Sequence, residues 1–406
     1  MAAAKPHVMV LPFPAQGHVS PFMELSHRLV DHGFKVTLVC TGLIHTLVLD
    51  ALPRNTDGKT LLKGIRLVSI PDGMAEGTDR RDLGKFVEAV SRYVPGYVEE
   101  LIGETVASGE KKVQWLLADV NLGFCFQVAK NLGVRVAAVW PAAAASLGTW
   151  SRIPQMIEDG FIDDKVCNSF LDAETTAFEL FPNIVPIGPL FADQELRKPV
   201  GQFWPEDTSC LEWLDAQSDS SVVYVAFGSF TIFGSGQFQE LAEGLELTSR
   251  PFLWVVRPDF TSGSLSKEWF DGFQSRVASK GMIVSWCPQQ QVLAHPAVAC
   301  FMSHYGWNST TEGVRNGLPI LCWPYFADQF TNRGYICDIW MAGLTVTPGE
   351  DGVVTKTEVL SKLEQLIGDR EIAERVWMLR DAARRSLNEG GSSYENFKRF
   401  VNLLTE

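Results

Sequence analysis

Short apolar runs alternate with amphipathic stretches along both halves of the chain, and this alternation constrains the fold more than any other feature. Runs rich in Val, Leu and Ile are typical of parallel sheets that carry helices on both faces. Helices are predicted near 21–31, 83–106, 124–132 and 143–157. Strands are predicted at 7–13, 34–40, 66–70, 114–118, 135–140, 184–187, 222–227, 252–256, 282–286, 298–303 and 319–323. The predicted fold class is therefore α/β, with doubly wound parallel sheets.

The chain has 406 residues, which is too long for one ordinary core and suits two domains of about 200 residues each. We predict a first domain at 1–190, a linker at 191–220 and a second domain at 221–389. A final helix is predicted over 393–404 from the helical spacing of Phe397, Phe400, Val401 and Leu404. Doubly wound sheets bind ligands beyond the carboxyl ends of their strands, so we expect a cleft between the two halves.

Charge and cysteine content exclude several functional classes. The 35 basic and 48 acidic residues leave a net charge of −13, which argues against nucleic acid or an anionic membrane as a partner. The eight cysteines are scattered and no zinc-ligand spacing occurs, so we expect a reduced, cytoplasmic setting and no metal site. No apolar run is long enough to cross a bilayer, and the apolar run near the start is too short for that of a signal peptide. The sequence contains no Gly-x-Gly-x-x-Gly fingerprint, so we do not expect a dinucleotide cofactor.

The window 286–329 concentrates residue types that suit a nucleotide sugar. Trp286 offers a flat face for stacking a base, a contact of roughly 1–3 kcal/mol in nucleic-acid complexes, and the Gln289 amide suits a base edge. His304 follows a predicted strand, and the helix predicted to begin at Asn308-Ser309 offers backbone N–H groups and its positive dipole end to phosphate oxygens.

The same window supplies groups for the sugars. Glu312 suits ribose hydroxyls, and Asp328 with Gln329 suits the hydroxyls of a second sugar. Each residue also has a structural interpretation. Residues 309–312 match a capping box, Trp286 beside a strand suits a core position, and a single histidine such as His304 is usually structural.

A histidine and an aspartate in the first half suit acid–base chemistry. His18 follows the first predicted strand and precedes a helix predicted to open with Ser20 as N-cap and Pro21 as first residue. An imidazole there can accept a proton near neutral pH. Asp119 ends another predicted strand and suits the orientation of that ring, although it equally suits the cap of the helix that follows.

The window closely resembles the signature of plant secondary-product glycosyltransferases, which are UDP-sugar-dependent enzymes of the GT-B fold, with two Rossmann-like domains facing across a cleft. The resemblance implies a site on this chain made of Trp286, Cys287 and Gln289 on uracil, His304, Asn308, Ser309 and Ser229 on the diphosphate, Glu312 on ribose, Trp307, Asp328 and Gln329 on the sugar, and His18 with Asp119 for catalysis.

The resemblance also implies the reaction. His18 is expected to act as general base while glucose passes with inversion from UDP-glucose to a hydroxyl of a small apolar, phenolic or flavonoid-like acceptor. No metal or cofactor is expected, because no acidic Asp-x-Asp-type cluster is evident near the phosphate site. We expect a monomer whose last helix, within 390–406, returns to the first domain.

Several positions depart from the family pattern. A segment that helps to wall the acceptor pocket is missing between Lys165 and Val166, so a catalytically impaired nucleotide-sugar-binding protein is a second hypothesis. An epimerase or a phosphorylase on a similar fold is a third. Cys287 replaces the usual Ala, Tyr305 the usual Cys, and Pro141 a frequent Ser or Thr. The acceptor pocket is predicted from residues 71–84, Phe86, Phe124 and Trp140.

Overall fold

The structure is a computed structural model that describes residues 6–52, 62, 64–80, 82–107, 112–148, 164–167, 169–180, 184–190, 203–258, 260–262 and 266–406. The chain divides into two compact units. The first consists of Met1–Pro205 together with Ser386–Glu406, and the second of Glu206–Arg385. Each unit is built around its own parallel sheet.

The first unit contains a seven-stranded parallel sheet with the order β3-β2-β1-β4-β5-β6-β7. Its strands are β1 His7–Leu11, β2 Lys35–Thr41, β3 Ile65–Ile70, β4 Val113–Asp119, β5 Arg135–Trp140, β6 Asp164–Cys167 and β7 Ile184–Pro186. Its helices before residue 200 are α1 Gln16–Asp31, α2 Gly42–Asp50, α3 Leu83–Ala107, α4 Phe126–Asn131, α5 Ala144–Gly148 and α6 Thr175–Leu180, with a 3-10 turn at Val120–Cys125. Alternate residues of β1 enter different cores, because successive strand side chains point to opposite faces.

The second unit contains a six-stranded parallel sheet with the order β12-β10-β8-β13-β14-β15, and a small sheet of β9 and β11. Its strands are β8 Val222–Ala226, β9 Phe233–Gly234, β10 Phe252–Val255, β11 Thr261–Ser262, β12 Gly281–Val284, β13 Val298–Ser303, β14 Ile320–Cys322 and β15 Gly343–Thr345. Its helices are α7 Ser209–Asp215, α8 Ser235–Leu247, α9 Lys267–Val277, α10 Gln289–Leu293, α11 Trp307–Asn316, α12 Gln329–Gly334, α13 Lys356–Gly368 and α14 Arg370–Leu387, with a π-helical turn at Tyr335–Ile339.

The last helix, α15 at Ser392–Leu403, packs on the first unit. Phe397, Phe400, Val401 and Leu404 lie in the same buried cluster as Val8 and Val10 of β1. The side-chain amide of Asn396 also donates to the carbonyl of Pro186 at 3.0 Å. The chain therefore returns to the unit in which it began.

Helix α1 begins earlier than predicted. The carbonyl of Ala15 accepts from the N–H groups of His18 and Val19, both at 2.9 Å, so the first turn is complete before Pro21. Ser20 is not the N-cap, since its hydroxyl accepts from the side-chain amide of Gln16 within the helix at 2.8 Å. The predicted cap was wrong because the helix already begins at Gln16, which places both Ser20 and His18 inside it.

Other elements differ from their predictions in smaller ways. The predicted linker, 191–220, contains the helix α7, in which Cys210 and Leu214 are fully buried, and this helix belongs to the second unit. Strands β6, β9, β11 and β15 are absent from the predicted set, because runs of two to four residues produce little periodic pattern. The predicted helix 143–157 begins as α5, and the remainder lies outside the described residues. Across the described ranges, no helix combines the length and apolar character needed to cross a bilayer.

Candidate active site

The strand order of each sheet changes direction at one point, and four of the candidate residues lie at or just after the carboxyl ends of the two strands on either side of it. In the first unit the reversal lies between β1 and β4, and in the second between β8 and β13. The crevice beyond the carboxyl ends of two such strands is the usual ligand site of doubly wound folds. His18 and Asp119 occupy this position in the first unit, while Ser229 and His304 occupy it in the second.

His18 and Asp119 form a close pair. Nδ1 of His18 lies 2.7 Å from Oδ2 of Asp119, which is fully buried, while the His18 side chain is 27% exposed. The other carboxylate oxygen accepts from the backbone and side-chain amides of Asn121, at 2.9 and 2.8 Å. Asp119 therefore caps the turn that follows it and also orients the histidine, so the two interpretations of this residue are compatible. An ionised carboxylate only accepts hydrogen bonds, which assigns the proton of the His18 ring to Nδ1.

Two residues predicted to hold the base, Cys287 and Gln289, are joined to the predicted ribose residue Glu312 by polar contacts that pass through Tyr224 of β8. The buried Tyr224 hydroxyl donates to Oε1 of Gln289 at 3.0 Å and lies 3.3 Å from the thiol of Cys287. Nε2 of Gln289 in turn donates to Glu312 at 2.6 Å. Trp286, directly before Cys287, is only half-buried, so part of its side chain is accessible to a ligand. Tyr224 was not identified from the sequence, because its apolar neighbours in the strand indicated only a core position.

His304 packs directly against the loop after β8. Gly228 has a φ of +65°, and a Cβ added there would lie 2.5 Å from Cε1 of His304, so only glycine permits this approach. Nδ1 of His304 lies 3.0 Å from the Ser303 hydroxyl, and the ring is half-buried. Ser229, the next residue of the loop, is also half-buried. The structure therefore brings the predicted diphosphate residues His304 and Ser229 together.

Helix α11 presents its N-terminus beside His304. It begins at Trp307 with Gly306 as N-cap, and Gly306 makes no side-chain cap. Ser309 lies within the helix and Glu312 bonds Gln289, so the capping-box interpretation of 309–312 was wrong. The Trp307 indole is only 3% exposed, which limits any ligand contact through this side chain. Asn308 is half-buried and Ser309 is buried.

Two of the residues predicted to hold the sugar, Asp328 and Gln329, lie at the start of α12. Oε1 of the buried Gln329 accepts from the backbone N–H groups of Tyr325 and Phe326 at 2.7 and 3.0 Å, so the amide NH2 is the group directed elsewhere. The amide of the fully buried Asn332 donates at 3.0 Å both to Asp328 and to the carbonyl of Tyr305. Asn332 thus joins the predicted sugar and phosphate segments, although it lies beyond the window that the sequence indicated.

Burial shifts the pKa of two of these groups in opposite directions. It raises the pKa of Glu312 to about 7, although the bond from Gln289 and the nearby Arg315 oppose the shift. Burial and the cation of Arg257 lower the pKa of His304 to about 4. His304 is therefore neutral at pH 7, while Glu312 is balanced between its two states.

The predicted acceptor residues divide into two groups. Phe86 and Trp140 are only 6% exposed and belong to the core of the first unit, so they are corrected to core positions. The Trp140 indole donates to the carbonyl of Ala143 at 2.8 Å, which fixes it inward. Phe124 is half-buried, as is Phe13, which was not predicted and whose ring centroid lies 5.3 Å from that of His18.

The described residues contain no group of three or more His, Cys, Asp and Glu side chains placed to hold a metal ion. The seven cysteines whose side chains are described are free thiols.

Comparison with known proteins identifies a family and its fold. Residues 47–383 match the family described as UDP-glucoronosyl and UDP-glucosyl transferase. UDP-glycosyltransferase 83A1 of Arabidopsis thaliana is 38% identical over 464 aligned positions, which cover 98% of this chain and 97% of that protein. The 7-deoxyloganetin glucosyltransferase of Catharanthus roseus is 29% identical, with 98% and 96% covered.

A solved structure is similar over nearly the whole chain. Os79 of O. sativa in complex with UDP matches with a TM-score of 0.84 and 28% identity, covering 98% of this chain and all of that one. The fold is that of the GT-B enzymes. The alignment with the Arabidopsis protein is longer than the 406 residues of this chain, so that protein has positions without a counterpart here.

Proposed function

Because the chain belongs to the UDP-glycosyltransferase family, on the branch found in plants, we propose that it transfers glucose from UDP-glucose to a hydroxyl of a small apolar acceptor, with inversion at the anomeric carbon. The broader activity, transfer of a glycosyl group from a UDP-sugar to a small acceptor, follows from the family itself. The hypothesis of an epimerase or phosphorylase is therefore set aside.

One observation carries the proposal for the donor. The loop after β8, His304 and the start of α11 meet where the strand order of the second sheet changes direction. Uncharged hydrogen-bond donors are thereby brought to one place. We assign the diphosphate to Ser229, His304, Asn308 and Ser309, and the uridine to Trp286, the Cys287 backbone, Gln289 and Glu312. Preorganised hydrogen-bond donors stabilise the departing UDP more than they stabilise bound UDP-glucose, because negative charge develops on the diphosphate during transfer.

One observation supports binding of a sugar hydroxyl, and a second favours glucose as the sugar. The Gln329 amide NH2 is the group directed away from the loop that its oxygen binds, so it is suited to donate to a sugar hydroxyl beside Asp328. The similar protein of Catharanthus roseus is named a glucosyltransferase. Trp307 contributes through its main chain in this proposal, since its indole is buried.

In the proposed mechanism, His18 removes the proton from the acceptor hydroxyl. Asp119 holds the ring with its proton on Nδ1, so Nε2 carries the lone pair that takes the acceptor proton. The acceptor oxygen forms the new bond to the anomeric carbon while the bond from that carbon to the β-phosphate oxygen breaks, and UDP departs with the bonding electrons. Buried Asp119 then stabilises the imidazolium.

The acceptor is proposed to be phenolic or flavonoid-like. Phe13 and Phe124 supply partly exposed aromatic surface on the first unit, and a phenol with a pKa near 10 needs less help from the base than an aliphatic alcohol. An apolar pocket discriminates weakly among similar molecules, so we expect several acceptors to react.

An acceptor screen tests the proposal. Purified protein is incubated with a phenolic and flavonoid panel and with UDP-glucose or UDP-galactose, and products are identified by mass spectrometry and NMR. We expect β-glucosides with UDP-glucose, slower transfer from UDP-galactose, and unchanged rates in EDTA, since we propose that no metal takes part. An α-linked product would refute inversion, and the absence of any glycoside would refute the proposed activity.

A further inference from the structure

The loop between β8 and β9 is bound from the interior of the second unit by one arginine. Arg257 follows β10 by two residues and is only 3% exposed. One of its terminal nitrogens donates to the carbonyl of Gly228, and the other donates to the carbonyl of the fully buried Thr231 at 3.0 Å. The guanidinium also lies over the ring of Phe260, 5.8 Å from its centroid. The planar guanidinium group of Arg257 thus binds both ends of the segment 228–231.

These two bonds determine how the neighbouring amides point. In a planar trans peptide the C=O and the N–H of one peptide unit are directed oppositely. Since the Gly228 carbonyl is directed at Arg257, the N–H of Ser229 is directed away from it. The same argument directs the N–H of Ile232 away from the guanidinium, because the Thr231 carbonyl is bound to it. The N–H groups of Ser229 and Ile232, one at each end of this segment, are therefore turned away from the guanidinium, and outward-directed backbone amides are groups to which anions bind.

The arginine also supplies charge to the same place. His304 packs on Gly228, and the Arg257 cation contributes to the lowered pKa of that histidine. A guanidinium remains protonated in proteins, so Arg257 is a permanent positive charge close to this loop.

We propose that Arg257 is a positioning residue for the diphosphate of the donor: it holds the segment 228–231 with the Ser229 amide directed toward the phosphate and places a buried positive charge behind it. This inference rests on the proposed function, because it requires a uridine diphosphate at this loop. The ligand class is a nucleoside diphosphate, and the nucleoside itself is held by other residues.

Two substitutions distinguish the effect of the two hydrogen bonds from Arg257 from the effect of its positive charge. Arg257→Lys keeps a positive charge but cannot bridge two carbonyls in one plane, and Arg257→Gln removes the charge. We expect UDP to bind about tenfold more weakly to Arg257→Lys and weaker still to Arg257→Gln, since bonds from charged groups are among the stronger ones. Uridine, which has no phosphate, should bind both variants as it binds the wild type.

The affinities for UDP and uridine are measured by titration calorimetry, with competition against UDP for the weaker ligand. Arg276→Gln is the control, because Arg276 is an exposed cation of the same unit that pairs with Glu246 at 2.7 Å. If Arg257→Gln does not fold, Arg257→Lys alone decides. Equal losses for UDP and uridine, or an unchanged UDP affinity in folded Arg257→Lys, would overturn the inference. A wild-type protein that binds no UDP would instead refute the proposed function and with it the inference.

Discussion

At the residue scale, the pair of His18 and Asp119 is the most direct test of the mechanism. We expect His18→Ala to lower kcat by about 10²–10⁴-fold, the usual contribution of a general base, while the Kd for UDP stays unchanged. Asp119→Asn should also lower kcat, because an amide nitrogen can donate to Nδ1 and favour the wrong tautomer of the ring.

The control for this pair is His32→Ala, an exposed histidine just after the same helix. Initial rates with saturating UDP-glucose and calorimetry with UDP distinguish catalysis from binding. Full activity in His18→Ala would show that another group takes the proton.

Glu312 and His304 should make opposite contributions to the pH dependence of stability. The pKa of Glu312 is raised to about 7, so the folded state holds a proton that the unfolded state has lost, and its contribution falls as pH rises from about 4.5 to 7. The pKa of His304 is lowered to about 4, so the unfolded state holds the extra proton and stability rises as pH rises from about 4 to 6.5.

Urea unfolding of Glu312→Gln and of the wild type between pH 4 and 8 measures this directly. The stability of the wild type relative to Glu312→Gln should fall as pH rises from about 4.5 to 7, because only the wild type carries the raised pKa. The stability of the wild type relative to His304→Gln should instead rise as pH rises from about 4 to 6.5. Parallel curves for all three proteins would mean that neither pKa is shifted.

At the scale of elements, α15 is expected to be essential for the stability of the first unit. Phe400 is 4% exposed and lies in the cluster that contains Val8 and Val10, so Phe400→Ala removes a large buried side chain. We expect this change to lower the free energy of unfolding by about 3–5 kcal/mol. Tyr394→Ala is the matched control, because Tyr394 on the same helix is 38% exposed.

Urea denaturation followed by circular dichroism measures both variants. Equal destabilisation by the two substitutions would contradict the packing of α15 described above.

At the scale of the whole molecule, UDP should stabilise the second unit and protect defined segments of it. A ligand at a hundred times its Kd stabilises the state that binds it by about 2.7 kcal/mol. We expect UDP to raise the melting temperature and to slow hydrogen exchange most in peptides that contain 228–232, 286–289 and 304–312. Mass spectrometry locates the exchange, with adenosine diphosphate as the control ligand. Greatest protection in peptides outside Glu206–Arg385 would contradict the donor assignment.

Local patterns in the sequence were sufficient for much of this protein. Val-, Leu- and Ile-rich runs predicted the strands β1, β2, β8 and β13, because a strand buried on both faces is mostly apolar. The window 286–329 indicated the candidate residues for binding the UDP-sugar, since chemical groups for a base, a phosphate and a sugar occur there in order. The family followed from the same window, and the comparisons confirmed it.

The tertiary structure decided what no local pattern contains. The strand order places His18 beside Asp119, although 101 positions separate them. It also reveals Tyr224 behind Gln289 and Arg257 behind Gly228, which the sequence showed only as a strand residue and as a charge after a strand. The physical reason is that strand runs and ligand motifs arise from neighbours along the chain, whereas the support of a site comes from buried polar contacts between distant segments. Which carbonyl a buried guanidinium will bind is settled only when the sheets have formed.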